Sequence, residues 1–296
     1  MAERWLVTGG TGQVGTALRR LNLHGIEMFA PSRDQLDLAK LQGDLEPFFT
    51  GISAVLSCGA YTAVDKAESE PELAYGVNAE APRLLAQAAA ARGIPIIHVS
   101  TDYVFPADQK GPWAEDDHTA PVSVYGKTKL AGEDAIRSSG ARHAIIRTAW
   151  VVSGDGNNFV KTMLRVGAQN SNVRVVADQH GTPTHAGDLA EALAEIAQRF
   201  LADRQQASGT WHCTNGGETS WHELATHVFD CAARHRLRVP DVVQAITTAE
   251  YPTAARRPYD SRLDCSKIKI DFGLKLRPWQ IAVEEIVANL IQEMKQ

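Results

Sequence analysis

Short apolar runs alternate with helical patterns over the first half of the chain. "RWLVTGG" is an apolar run that stops at two glycines. "QVGTALRRLNLHG" then has helical character and closes on Gly25. "IEMFAPS", "ISAVLSCGA", "IPIIHVSTD" and "HAIIRTAWVV" read as further strands, and "PELAYGVNAEAPRLLAQAAAARG" as a helix between two of them. Strands that alternate with helices in this way predict βαβ units and a parallel sheet. After about Val151 the pattern loosens. "GDGNNF", "DQHGTPTHAG" and "TNGGETS" read as loops, and "GDLAEALAEIAQRFLADR" and "WQIAVEEIVANLIQEM" as amphipathic helices. The expected organisation is a dinucleotide-binding domain of residues 1–150 and about 173–205, with a smaller, partly interleaved α/β domain of about 151–172 and 206–296.

Composition narrows the class. The 296 residues are 44% hydrophobic and 22% charged, as in an ordinary globular protein with a sizeable core. A net charge of −5 gives no general reason to expect nucleic acid or an anionic membrane as partner. No run approaches the roughly eighteen apolar residues of a membrane span, and "MAERWLVTGG" does not read as a secretory signal. Cys58, Cys213, Cys231 and Cys265 are too dispersed for a metal motif or a disulfide framework, so free thiols in a reducing cytoplasm are expected.

The first chemical motif is "VTGGTGQVG". Gly9, Gly12 and Gly15 fall three apart, and Gly10, Gly12 and Gly15 also fit G-x-G-x-x-G, with Thr11, Gln13 and Val14 between them. A tight turn without a ligand is the plainer reading. Three glycines after a strand and at the start of a helix favour a pyrophosphate held against the helix N-terminus. An NAD site usually closes the second strand with an acidic residue. Here Ala30 and Pro31 are followed by Ser32 and Arg33, while Glu27 stands too early. Arg33 suits a bidentate grip on a 2′-phosphate, with an exposed loop arginine as the competing reading, which points to NADPH with NADH still possible.

The strand "IIHVSTDYVF" delivers Ser100, Thr101, Asp102 and Tyr103 at its carboxyl end, where ligands bind in doubly wound sheets. Tyr125 and Lys129 then stand four apart in "VYGKTKLAGE". Such a pair is commonly two neighbours on a solvated helix face. Behind a nucleotide-binding turn it reads instead as a proton donor and a tuning cation. A phenol titrates near ~10, and a unit charge at ~4 Å with an effective dielectric near 20 contributes about 4 kcal/mol, roughly three pKa units.

These segments, with "YTAVDKAESEPELAYGVNA", "RTAWV", "GNNFVKTML", "DQHGTPT" and "SRLD", resemble the extended short-chain dehydrogenase/reductase family, and within it the sugar-nucleotide reductases. The resemblance covers nearly the whole chain. It implies a Rossmann-type doubly wound sheet and NADPH-dependent reduction of the 4-keto group of dTDP-4-dehydro-6-deoxy-L-mannose to dTDP-L-rhamnose. It implies catalysis by Thr101, Tyr125 and Lys129, with Lys129 also on the nicotinamide ribose. Cys58, Gly59, Ala60 and Tyr61 would line the cofactor together with Ser100, and Asp37 and Leu38 would sit near the adenine. Asp102 and Tyr103 would approach the sugar, Trp150 the hexose or the base, Asn158, Phe159 and Gln179 the nucleotide, and Arg257 the diphosphate, a role for which Arg256 and Arg262 compete. For Trp150 a place in the core between the domains is the competing reading.

Three departures matter. Ala17 stands where some relatives carry a glutamate that binds a dimer-bridging magnesium, so magnesium is not expected. His180 replaces a more familiar phenol. Asp102 is followed by Tyr103 rather than glutamate, which argues against elimination chemistry. The expected working unit is a monomer or weak homodimer. A reductase or epimerase of another nucleotide sugar, or a non-catalytic NADP-binding regulatory subunit, are the alternatives; loss of the Tyr–Lys pair would favour the last, and both members are present.

Overall fold

A computed structural model describes residues 3–42, 45–108 and 111–293. Five strands follow the expected order: β1 (Glu3–Thr8), β2 (Ile26–Phe29), β3 (Ile52–Ser57), β4 (Ile96–Thr101) and β5 (His143–Thr148). A sixth, Gly209–His212, completes a sheet ordered β2-β1-β3-β4-β5-(209–212), and every pairing is parallel. Side chains alternate across β1. Trp5 and Val7 enter the core beneath the helix Ala186–Ala202, while Leu6 enters the opposite layer with Leu85 and Ile136. Burial on both faces explains why these strands read as continuous apolar runs. The α/β, doubly wound class read from the sequence is the one observed.

The second lobe has its own core. Asn172–Val176 pairs in parallel with Val242–Ile246, and the helices Phe159–Gln169, Trp221–Arg234 and Trp279–Glu293 pack around Val160, Leu224, Phe229 and Val283. Helix Trp221–Arg234 starts on a capping box, in which Ser220 and Glu223 satisfy each other's backbone N–H groups.

Two boundaries differ from expectation. Residues 172–176, expected partly in the first domain, belong to the second lobe, because Val173 and Val175 face that lobe's core. Residues 209–212, expected in the second domain, cover the outer edge of β5, and helix Ser266–Phe272 adds Ile268 and Phe272 to the core below the large sheet. The run "HAIIRTAWVV" is also two strands rather than one. Trp150 has a φ of 47°, which breaks the extended backbone, and Val151–Val152 pairs elsewhere, with Thr184–His185.

Candidate active site

Strand order reverses between β1 and β3, and a crevice opens at the carboxyl ends of the strands, as expected at such a switch point. It leads into a cavity of about 950 Å³. The turn from β1 into α1 (Gln13–Arg20) forms one wall, through Gly9, Thr11, Gly12, Gln13, Val14 and Gly15. Its backbone is tightly nested. Gly9 has a φ of 70°, and a Cβ on Gly15 would lie 2.2 Å from the Gly9 carbonyl oxygen. The Gly12 N–H donates to that same oxygen at 2.9 Å.

Cys58, Gly59, Ala60 and Tyr61 line the cavity after β3. Gly59 leaves room for Leu38, whose Cδ1 would lie 2.3 Å from any Cβ placed there. Asp37 accepts from the Ala39 N–H at 3.1 Å and lies 3.5 Å from Arg33 Nε. Arg33 is at the rim, with a side chain 77% exposed. Ser32 does not line the cavity; its N–H donates to Gln35 Oε1.

At the end of β4 the expected residues converge. Helix Val124–Arg137 is capped by Ser123 Oγ, which accepts from the Gly126 N–H at 3.1 Å. Gly126 permits close approach, since a Cβ there would lie 2.2 Å from the Tyr103 carbonyl oxygen. Tyr125 consequently meets Tyr103 edge-on, with ring centroids 5.5 Å apart. Thr101 Oγ1 donates to Asp102 Oδ1 at 2.8 Å. Burial pushes the Asp102 carboxyl up to about 6, against the hydrogen bonds from Thr101 and Ser261, and its Oδ2 has no partner among the described residues.

One expectation about this cluster needs correction. Lys129 does not tune the phenol in this state. Its ammonium donates to the Val99 carbonyl at 2.7 Å and lies 3.2 Å from His98 Nε2. Burial therefore pushes the Tyr125 phenol up, with Asp102 and Tyr103 adding to the rise and the Thr101 hydroxyl opposing it. Burial also brings the Lys129 ammonium down to about 8, against Glu133 and Cys58. Ser100 lines the cavity as expected, with its hydroxyl donating to Glu133 at 2.6 Å, within the buried Glu133–Arg147 pair.

The second lobe forms the far wall. Trp150 stacks on Trp221 with centroids 3.5 Å apart and planes 9° from parallel, and both line the cavity. Gly181 leaves space for this stack, because a Cβ there would lie 2.5 Å from the Trp150 ring. Phe159 and Gln179 stand behind the wall rather than on it. Phe159 tilts against Trp221, and Gln179 accepts from its indole N–H at 3.2 Å. Asn158 lines the cavity and donates to Gln13 Oε1 at 3.0 Å, tying the lobe to the glycine turn. Of the three arginines, only Arg257 lines the cavity. It pairs with Asp65 at 2.7 Å, and its Nε has no partner among the described residues. Arg262 is engaged by Asp260 and Glu218, and Arg256 is largely exposed.

Three contributors were not singled out from the sequence. Trp221 is 71 positions from the ring it stacks on. Asn78 is fully buried; it accepts from the Tyr61 N–H at 2.8 Å and donates to Thr128 Oγ1 at 3.0 Å, clamping the Tyr61 loop to the Tyr125 helix. The third is His98. For His98 the local signal is a polar residue inside an apolar run; Trp221, flanked by Ser220 and His222, carries none.

Ala17 packs against the core beneath α1. His227, Cys231 and Glu284 cluster elsewhere, but the Arg234 guanidinium lies 2.7 Å from Glu284 and 3.2 Å from Cys231, and none of the four lines the cavity.

Residues 3–292 match the family model described as the RmlD substrate binding domain. The dTDP-4-dehydrorhamnose reductase of Sinorhizobium fredii is 42% identical, over 99% of each chain. That of Shigella flexneri is 40% identical over 96% of this chain and 97% of its own. A crystal structure of a dTDP-4-dehydrorhamnose reductase from Clostridium acetobutylicum superposes with a TM-score of 0.88 at 37% identity, covering 98% of this chain and 99% of that one. The Bacillus anthracis enzyme in complex with NADP also gives 0.88, at 32% identity, covering 98% of this chain and all of the other. By the extent of these matches, the chain belongs to the RmlD substrate binding domain family, that of the dTDP-4-dehydrorhamnose reductases.

Proposed function

We propose that the protein reduces the 4-keto group of dTDP-4-dehydrorhamnose to give dTDP-L-rhamnose, with NADPH as reductant. One observation carries this reading: Thr101, Tyr125 and Lys129 converge on the same cavity as the glycine turn. The turn fits a dinucleotide, because Gly9 and Gly15 admit no Cβ while Gly12 at the helix N-terminus faces the cavity. Backbone from Gly9 to Gly15 would hold the pyrophosphate, Leu38 and Tyr61 the adenine side, Arg33 the 2′-phosphate and Lys129 the ribose. When bound, NADPH supplies the hydride.

The chain's own residues handle the proton and the charge. Tyr125, protonated at neutral pH, donates its phenolic proton to the C4 oxygen. Thr101 shares the developing charge once its hydroxyl turns from Asp102 Oδ1 to the C4 oxygen. Asp102 Oδ2, buried and without a partner among the described residues, accepts from a sugar hydroxyl. Arg257 exchanges Asp65 for the diphosphate, and Trp150 offers the hexose a flat face. A reducing cytoplasm agrees with four free cysteines, and a monomer or weak homodimer is taken as the working unit.

The test is incubation with dTDP-4-keto-6-deoxyglucose, a 3,5-epimerase and NADPH, followed by NMR of the product. dTDP-L-rhamnose is expected. A different 4-epimer would reassign the substrate, and NADPH binding without turnover would favour a regulatory subunit.

A further inference from the structure

His98 is fully buried in the middle of β4, between Ile97 and Val99. An imidazole there costs about 1–3 kcal/mol unless both nitrogens find partners. Both do. Nδ1 lies 3.0 Å from Ser57 Oγ on β3, and Nε2 lies 3.2 Å from Lys129 Nζ. Strand alternation brings this about: His98 and Ser100 point to the same side of β4 and meet Lys129 and Glu133, one turn apart on the Tyr125 helix. An ammonium has no lone pair, so Nε2 accepts from it and Nδ1 carries the ring hydrogen, which it donates to Ser57.

We propose that His98 is a positioning residue for Lys129: its Nε2 and the Val99 carbonyl take two of the three ammonium hydrogens and leave the third for the cavity. The pair is a rigid fork, because both acceptors belong to a central strand. Burial, with the Lys129 charge, holds the imidazole neutral by keeping its titration well below the ordinary value, so the lone pair persists across neutral pH. The other groups facing Lys129 are Cys58 after β3 and Glu133 on its own helix. The proposal deepens the reductase reading and rests on it.

The experiment compares parent, His98→Leu, His98→Gln and Ser57→Ala in steady-state kinetics against pH, in NADPH titrations and in side-chain ¹⁵N NMR. His98→Leu should lower kcat/KM and NADPH affinity together, by about ten- to a hundredfold, the value of a hydrogen bond to a charged group. Its alkaline limb should move to lower pH, since the ammonium has lost an acceptor. His98→Gln, with an amide oxygen within reach of the Nε2 position, should restore most of both. NMR of the parent should show a neutral His98 bearing hydrogen on Nδ1 at pH 6. A folded His98→Leu with parental kinetics, affinity and pH limb would overturn the proposal, as would hydrogen on Nε2. If His98→Leu does not fold, Ser57→Ala decides: a smaller loss in the same direction, with the tautomer mixed, supports the fork, and an unchanged tautomer and profile reject it. A parent without turnover defeats the reductase reading alone, because the NMR measurement needs no substrate.

Discussion

Gly9 and Gly59 meet backbone to backbone where β1 and β3 end: a Cβ on Gly9 would lie 2.5 Å from the Gly59 Cα. No side-chain rotation relieves such a contact. Gly9→Ala should cost about 1–2 kcal/mol for its left-handed backbone and a further ~1–3 for overpacking. NADPH binding should weaken as the two loops part. Chemical denaturation with NADPH titration checks both, and a variant as stable as the parent would contradict the packing described.

Tyr125→Phe removes only a hydroxyl. Turnover should fall by ~10²–10⁴, the usual contribution of general acid–base catalysis, with NADPH affinity nearly unchanged. Steady-state rates with fluorescence titration separate the two quantities, and an active variant would end the mechanism.

Lys129 carries a pH signature with a definite sign. Its folded-state value, about 8, lies below the 10.5 of a free lysine. Between these the unfolded chain binds the extra proton, so this residue's contribution to stability rises with pH through that window. Lys129→Met should thus be more stable than the parent at pH 7, by a margin that shrinks between about 8 and 10.5. In the parent, kcat/KM should decline as pH rises through about 8, as the free enzyme's ammonium loses its proton. Thermal melts and pH–rate profiles of both proteins test the two directions separately.

Arg33 stands at the cavity rim, where it pairs with Asp37. Arg33→Ala should weaken NADPH about ten- to a hundredfold and NADH far less. Equal losses in paired titrations would show that Arg33 does not read the 2′-phosphate.

The parts of this site legible in the sequence are local ones. The glycine turn, the hydroxyls closing β4 and the Tyr125–Lys129 spacing each sit within one short segment, where backbone geometry follows from residue type. The direction of Lys129 was not legible, because a carbonyl and an imidazole 30 and 31 positions away decide it. Trp221, Asn78 and the displaced Phe159 and Gln179 depend likewise on packing between distant segments. Residues 209–212 are too short a run to announce a strand; they become one by lying against β5.

That late strand has a consequence for synthesis. Thr148 ends β5, and Gly209 stands 61 positions further on. As the chain leaves the ribosome, β5 presents an open row of N–H and C=O groups until then, the kind of edge that recruits other strands. The helix Ala186–Ala202, which roofs one face of the same sheet, emerges only shortly before. A nascent chain stalled or truncated before residue 209 therefore holds most of the cofactor crevice beside an open strand edge.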